Sequence, residues 1–202
     1  MPSPSIIEGA LAESRATQDA FLADSRNIEA VTAFAEALVS TARARGRLLS
    51  CGNGGSMSDA IHFASEWTGR FRDDRDPVAA ISLSDPATIT CIANDYGFDQ
   101  IFARQVEAQG RPGDLLVAIS TSGNSANVRE AVQTARRCGL RTVGLLGRGG
   151  GKIVSEVDIP IVVPHATTAD RVQEIHIQII HAVLEAAERA LFPGNYPAEA
   201  DD

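Results

Sequence analysis

Residues 114–138 read DLLVAISTSGNSANVREAVQTARRC, and this stretch contains one complete structural unit. Residues 114–120 form an aliphatic run without polar alternation, which is typical of a strand buried on both faces of a parallel sheet. A turn of Ser, Thr, Gly and Asn follows, and a helical pattern begins at Ala126. The stretch therefore predicts a strand, a tight turn and a crossover helix.

Four similar aliphatic runs lie elsewhere in the chain, at residues 47–51 (RLLSC), 78–83 (VAAISL), 141–147 (RTVGLLG) and 159–163 (IPIVV). The stretches between them are long enough for helical crossovers. Together the five runs predict a doubly wound α/β fold, with a five-stranded parallel sheet flanked by helices in a flavodoxin-like sandwich. Ligands of such sheets bind at the carboxyl ends of the strands.

Helical patterns flank this sheet on both sides in the sequence. Two helices precede the first strand, around residues 6–22 and 28–42, and a long helix is predicted from the N-cap Thr168 to about Leu191. The last helix carries two apolar stripes, of which one sheet face can cover only one. The other stripe is predicted to pack on identical subunits or on the N-terminal helices of the same chain. We expect N-terminal helices over 1–45, a main domain over 46–192 and a loose tail over 193–202.

Composition narrows the class of protein. The 202 residues are 44% hydrophobic and 22% charged, which suits one globular domain. The formal net charge is -8, Lys152 is the only lysine, and the arginines are scattered, which argues against a nucleic-acid clamp. Cys51, Cys91 and Cys138 are too few and too far apart for a disulfide framework or a zinc knuckle. We expect a cytoplasmic protein without nucleic-acid or membrane partners.

Two glycine- and serine-rich turns follow predicted strands, at residues 51–56 (CGNGGS) and 120–125 (STSGNS). Each precedes a helix, and backbone N–H groups at a helix N-terminus bind anions without needing a lysine. Either turn alone could be a simple connection, but two at one sheet edge favour a phosphate site. The dinucleotide and P-loop fingerprints fail, because Met57 replaces a required glycine and Ile153 follows Lys152. The ligand predicted is a sugar phosphate, with no nucleotide cofactor.

A candidate acid–base group lies beside the first turn. His62 and Glu66 are four residues apart on one helical face, and Gln173 and His181 lie on the last helix, which begins near Asp170. Such residues are often a solvated pair or packed side chains. Beside a bound sugar phosphate they could catalyse aldose–ketose isomerisation through an enediol, or bind zinc.

The last helix limits how these side chains can meet. Gln173 and His181 are about 12 Å apart along a straight helix, which predicts that one of them acts in a neighbouring subunit's site. Among the remaining histidines, His176 is predicted to pack inside the protein and His165 to lie in an exposed loop.

Four segments carry a family resemblance: SCGNGGSMSDAIHFASEWTGRF (50–71), CIANDYGF (91–98), GDLLVAISTSGNSANV (113–128) and ADRVQEIHIQIIH (169–181). From about Asn27 to Ala190 the chain resembles the phosphoheptose isomerases of the SIS domain superfamily. The resemblance implies conversion of sedoheptulose 7-phosphate to D-glycero-D-manno-heptose 7-phosphate, the first step toward ADP-heptose for lipopolysaccharide. It also implies a cytoplasmic homotetramer with active sites at subunit interfaces.

The resemblance also implies roles for individual residues. Glu66 corresponds to the family's base and His181 to its acid partner. The implied ligands of one zinc ion per subunit are His62, Glu66, Gln173 and His181. The implied substrate-binding residues are Asn53, Gly54, Gly55, Glu66, Asn94, Asp95, Ser120, Thr121, Ser122, Ser125, Asp170 and Gln173.

Two other functions stay open. One is a non-catalytic SIS regulator that binds the replication initiator DnaA, and the other is an isomerase of another sugar phosphate. The resemblance implies that such regulators lack the acid–base pair, so Glu66 and His181 together argue against the first.

Overall fold

A computed structural model describes residues 3–164 and 168–196, and it contains five parallel strands in the order β2-β1-β3-β4-β5. The strands are β1 (Leu48–Gly52), β2 (Ala80–Ser82), β3 (Leu115–Ser120), β4 (Arg141–Gly147) and β5 (Ile159–Val163). The helices within these residues are α1 (Pro4–Leu22), α2 (Ser25–Arg43), α3 (Gly55–Thr68), α4 (Pro86–Tyr96), α5 (Ala103–Gln109), α6 (Ala126–Arg137) and α7 (Ala169–Leu191). The predicted fold class is confirmed.

Strand β3 shows why the aliphatic runs lack polar alternation. Leu115, Val117 and Ile119 enter the core shared with α2, α3 and α7, whereas Leu116 and Ala118 enter the core on the opposite face, shared with α5 and α6. Both faces of the sheet are therefore buried and shielded from solvent. Each fully buried aliphatic side chain of this size contributes about 1.5–3 kcal/mol to folding.

The N-terminal helices of the same chain cover α7. Phe21 of α1 and Phe34 of α2 belong to one buried cluster with Ile175, Ile179 and Val183 of α7. Of the two arrangements that the sequence left open for the second stripe, the structure shows the one within a single chain. Further apolar side chains on α1 are exposed, among them Ile6, Ile7 and Leu11.

Some elements differ from the sequence-based expectation. Strand β2 covers only Ala80–Ser82, and the helices α4 and α5 fill a region for which no helix was predicted. The side chain of Asp85 caps α4 by accepting a hydrogen bond from the Thr88 N–H at 2.7 Å. Residues 193–195, placed in a loose tail, form a 3₁₀ turn. Within the described ranges, no helix is both long and apolar enough to cross a membrane.

His176 packs inside the protein, as the sequence predicts. Its side chain is fully buried on α7, and its Nε2 lies 3.1 Å from the carbonyl oxygen of Leu146 in β4. Burial is the main cause that lowers the pKa of His176 to about 4. The imidazole is therefore neutral in the folded protein at neutral pH and donates through Nε2.

This buried imidazole predicts a loss of stability in mild acid. The unfolded chain binds a proton at His176 below about pH 6.5, whereas the folded protein does so only near pH 4. The contribution of neutral His176 to the free energy of unfolding is therefore complete above pH 6.5 and falls as the pH drops toward 4. Between pH 7.5 and pH 5 this group should lower the free energy of unfolding by about 2 kcal/mol.

Urea unfolding at several pH values measures that loss. The control is His176→Gln, whose amide can donate to Leu146 but does not titrate. If the free energy of unfolding depends on pH in the same way in the wild type and in His176→Gln, then His176 is not the group responsible for the loss of stability.

Candidate active site

The first glycine- and serine-rich turn joins β1 to α3. Gly54 has φ +57° and ψ -122°, a conformation that favours glycine, and it directs the chain into the helix that begins at Gly55. At Gly52 an added Cβ would lie 2.7 Å from the Cβ of Ser56, so the turn requires a bare backbone there too. The turn therefore leaves the N-terminus of α3 open at the carboxyl end of β1, where its N–H groups can face an anion.

The second turn joins β3 to α6 and gathers hydroxyl groups. The Oγ atom of Ser120 lies 3.1 Å from Oγ of Ser125 and 3.5 Å from Oγ of Ser122. Gly123 has φ +64°, and a Cβ there would overlap the carbonyl oxygen of Gly150 in the loop after β4. Packing against that loop thus fixes the serine turn.

A pair of amides ties the two turns together. The Nδ2 atom of Asn53 donates to Oδ1 of Asn127 at 2.9 Å, and Nδ2 of Asn127 donates back at 2.8 Å. Asn127 lies in the first turn of α6 and is 2% exposed, and its Oδ1 also accepts from the Val128 N–H. Sequence reasoning missed Asn127, although an Asn at the start of a helix after a serine turn is a recognisable signal.

A cavity of about 310 Å³ lies where the two turns meet α7. Its lining includes Asn53, Gly55, Thr121, Asp170 and Gln173, which the sequence singled out from three separate segments. The order β2-β1-β3 places the cavity at the β1/β3 switch point, where doubly wound sheets bind ligands. A larger groove of about 750 Å³ between α2 and α7 contains none of the predicted site residues.

Gln173 is held at this cavity by Asp59, a residue that the sequence did not single out. Its Nε2 donates to Oδ1 of Asp59 at 2.6 Å, and Asp59 is only 3% exposed. Burial raises the pKa of Asp59, while the hydrogen bond from Gln173 opposes that shift. By accepting this hydrogen bond, Asp59 fixes the Gln173 NH₂ group and leaves the amide oxygen for another partner.

The acid–base residues form a second cluster farther along α3 and α7. His62 Nε2 lies 2.9 Å from Nε2 of His181 and 4.0 Å from Oε1 of Glu66. The ring of Phe71 packs on that of His181, with centroids 5.7 Å apart. Burial is the main cause that lowers the pKa of His181, and the neighbouring His62 adds to it. The imidazole of His181 is thus neutral at neutral pH and can both accept and donate a proton.

Proteins similar to this chain are known. A model of the SIS domain matches residues 11–147. The phosphoheptose isomerase of Enterobacter sp. strain 638 is 48% identical over 186 residues, which is 92% of this chain and 97% of the relative. That of Aeromonas hydrophila is 45% identical over the same shares. The chain belongs to the phosphoheptose isomerase family of SIS domain proteins.

Solved structures agree with this assignment. The phosphoheptose isomerase of Neisseria gonorrhoeae has a TM-score of 0.85 and 42% identity, and covers 91% of this chain and 97% of its own. That of Francisella tularensis has a TM-score of 0.88 and 35% identity, covering 94% and 100%. Membership of this family makes the chain a sugar-phosphate isomerase and confirms the resemblance seen in the sequence.

The structure does not bring every residue implied by the phosphoheptose isomerase resemblance to the cavity. Asn94 and Asp95 lie at the exposed end of α4, where Nδ2 of Asn94 donates to Oδ1 of Asp95 at 2.8 Å, and neither lines the cavity. Gln173 and His181 both contact α3 of the same chain, through Asp59 and His62 respectively. His165 lies outside the described residues.

The predicted zinc site is not shown by the arrangement of side chains within the described residues. Across residues 3–164 and 168–196, no group of three or more His, Cys, Asp or Glu side chains is arranged to hold a metal ion. The Nε2 atoms of His62 and His181 nevertheless lie close together, and the carboxylate of Glu66 lies near His62. These donor types suit zinc.

Proposed function

We propose that this enzyme isomerises sedoheptulose 7-phosphate to D-glycero-D-manno-heptose 7-phosphate, in the cytoplasm, as the first step toward ADP-heptose. The observation that carries the proposal is the cavity between the two anion-binding turns, together with the Glu66 and His181 cluster on the same pair of helices. The names of the similar isomerases support a heptose phosphate as the substrate.

The two side chains would divide the proton transfers between them. Glu66 removes a proton from C1 of the ketose, and His181 moves the hydroxyl proton from O1 to the oxygen at C2, which gives the enediolate. The proton on Glu66 exchanges with solvent, and Glu66 then protonates C2, so the product is the aldose. No electron acceptor is consumed, because C1 is oxidised as C2 is reduced.

The homotetramer with shared active sites that the resemblance implies is part of this proposal, and the length of the substrate supports the sharing of sites. Eleven residues separate Gly55 from Glu66, and they span about 16 Å along α3. The eight bonds from C1 of a heptose phosphate to its phosphorus, each about 1.5 Å, extend over at most about 12 Å. We infer that the turns of one chain and the acid–base residues of another act on one substrate molecule.

Mixing two inactive variants tests the shared site. Glu66→Gln and Thr121→Val should each be nearly inactive alone, whereas subunits mixed by coexpression should regain activity, because some interfaces then contain both intact parts. Mixed oligomers that stay inactive would contradict the shared site without affecting the reaction.

Zinc is part of the proposal as a resident metal ion. His62, Glu66 and His181 would hold it, with Gln173 as the fourth implied ligand. When bound, zinc would polarise the oxygens at C1 and C2.

Metal analysis of protein purified without chelator should find about one zinc ion per chain, as expected for a catalytic site with protein ligands. The His62→Ala variant should lose it, and chelation should lower activity until zinc is restored. Full activity in metal-free protein would contradict this role.

Turnover with defined sugar phosphates tests the function itself. Sedoheptulose 7-phosphate should yield an aldose faster than a ketohexose 6-phosphate or a ketopentose 5-phosphate at equal concentration. Preference for one of the shorter sugars would instead support the alternative of another sugar-phosphate isomerase.

A further inference from the structure

The most deeply buried ion pair described in the chain joins the loop after α3 to the end of α7. Nε of Arg75 lies 2.5 Å from Oε1 of Glu188, and both side chains are 1% exposed. The same guanidinium donates to three main-chain carbonyls, at 2.9 Å to Glu66, 3.1 Å to Asp76 and 3.4 Å to Gly69. Arg75 therefore fixes the end of the helix that carries Glu66.

The carboxylate of Glu188 accepts two further hydrogen bonds. Its Oε1 accepts from the Phe71 N–H at 3.3 Å, and its Oε2 accepts from the Tyr196 hydroxyl at 2.9 Å. Burial and the nearby Glu188 raise the pKa of Tyr196 to about 12, so the phenol remains a donor. The turn at 193–195 thus places Tyr196 over the cluster, although the sequence suggested a loose tail there.

This cluster contacts Glu66 directly and reaches His181 through Phe71. Through Arg75 it holds the main-chain carbonyl of Glu66, and through Glu188 it holds the backbone of Phe71, whose ring packs on His181. A buried ion pair is often no better for stability than apolar side chains of the same size. Its distinctive property here is that one carboxylate and one guanidinium fix the chain next to both residues.

We propose that Arg75 and Glu188, with Tyr196 as their outer partner, are positioning residues that set the geometry between Glu66 and His181. The inference rests on the proposed function of that pair. It assigns a role to the segment after α7, because the Tyr196 hydroxyl completes the hydrogen bonding of Glu188.

Two conservative variants test this role, with kcat and KM measured well below the melting temperature of each. Glu188→Gln keeps the shape but removes the charge opposite Arg75, and Tyr196→Phe removes one hydroxyl. We expect kcat to fall about 10–100-fold in Glu188→Gln and less in Tyr196→Phe, with KM nearly unchanged. Glu156→Gln is the matched control, since it also loses an arginine partner, at 2.6 Å from Arg129, away from this cluster. It should behave like the wild type.

A spectroscopic readout makes the test independent of turnover. The ring signals of His181 in long-range ¹H–¹⁵N spectra should move in Glu188→Gln and Tyr196→Phe but not in Glu156→Gln. If both variants melt earlier yet keep wild-type kcat and unmoved ring signals, the cluster is only structural and the inference is overturned. If the wild type shows no isomerase activity but the ring signals move, the proposed reaction fails while the positional coupling stands.

Discussion

Replacing Glu66 with Gln should lower kcat for isomerisation by about 10²–10⁴-fold, the usual contribution of a general base. The amide keeps the shape of the side chain but cannot take the C1 proton. The anion-binding turns begin about 16 Å away along α3 and are untouched, so substrate affinity should stay close to that of the wild type. Steady-state kinetics and direct titration with the sugar phosphate measure the two quantities separately.

Glu107→Gln is the control for this substitution. Glu107 is an exposed carboxylate on α5 that belongs to neither cluster, so the same chemical change there should leave kcat unaffected. Normal turnover by Glu66→Gln would show that Glu66 is not the base that takes the C1 proton. An equal loss in both variants would mean that the effect is not specific to the site.

The substitution Gly123→Ala should lower the free energy of unfolding by about 3–5 kcal/mol, because two costs combine. The residue has φ +64°, which a side chain disfavours, and its Cβ would overlap the main-chain carbonyl of Gly150. A clash with main-chain atoms cannot be relieved by a change of rotamer, as a clash with a flexible side chain can. The serine turn and the loop after β4 must therefore separate, and phosphate binding should weaken with them.

Gly149→Ala separates the two costs. Gly149 has φ +73° but nothing within 4 Å of an added Cβ, so only the conformational cost of about 1–2 kcal/mol remains. Urea unfolding of both variants gives the comparison. Equal destabilisation would show that the contact between the two loops is unimportant.

The sheet and the two glycine- and serine-rich turns were predictable because their signals are local. The strands β3, β4 and β5 match the aliphatic runs closely, since uninterrupted apolar stretches have few alternatives to a buried parallel strand. The turns were identified by glycine and hydroxyl residues directly after strands. Gly54 and Gly123 have positive φ, a backbone conformation that favours glycine, and this explains why both turns contain glycine.

The contacts that the supporting residues make were not predictable, because these contacts join distant segments of the chain. Asp59 is one of many acidic residues in the sequence, and only its burial against Gln173 distinguishes it. Asn127 likewise gains its role from the opposite turn, 74 residues away. Asn94 and Asp95 show the reverse case, since the resemblance implies a substrate contact that the fold of one chain does not provide.

Solvent deuterium exchange tests the proposed proton transfer most directly. When the wild-type enzyme equilibrates sedoheptulose 7-phosphate in D₂O, deuterium should appear at C2 of the aldose and at C1 of the recovered ketose, because the proton held by Glu66 exchanges with solvent. Glu66→Gln should show neither. If aldose accumulates over many turnovers with no deuterium at either carbon, hydrogen passes directly between the carbons, and the assigned roles of Glu66 and His181 are wrong.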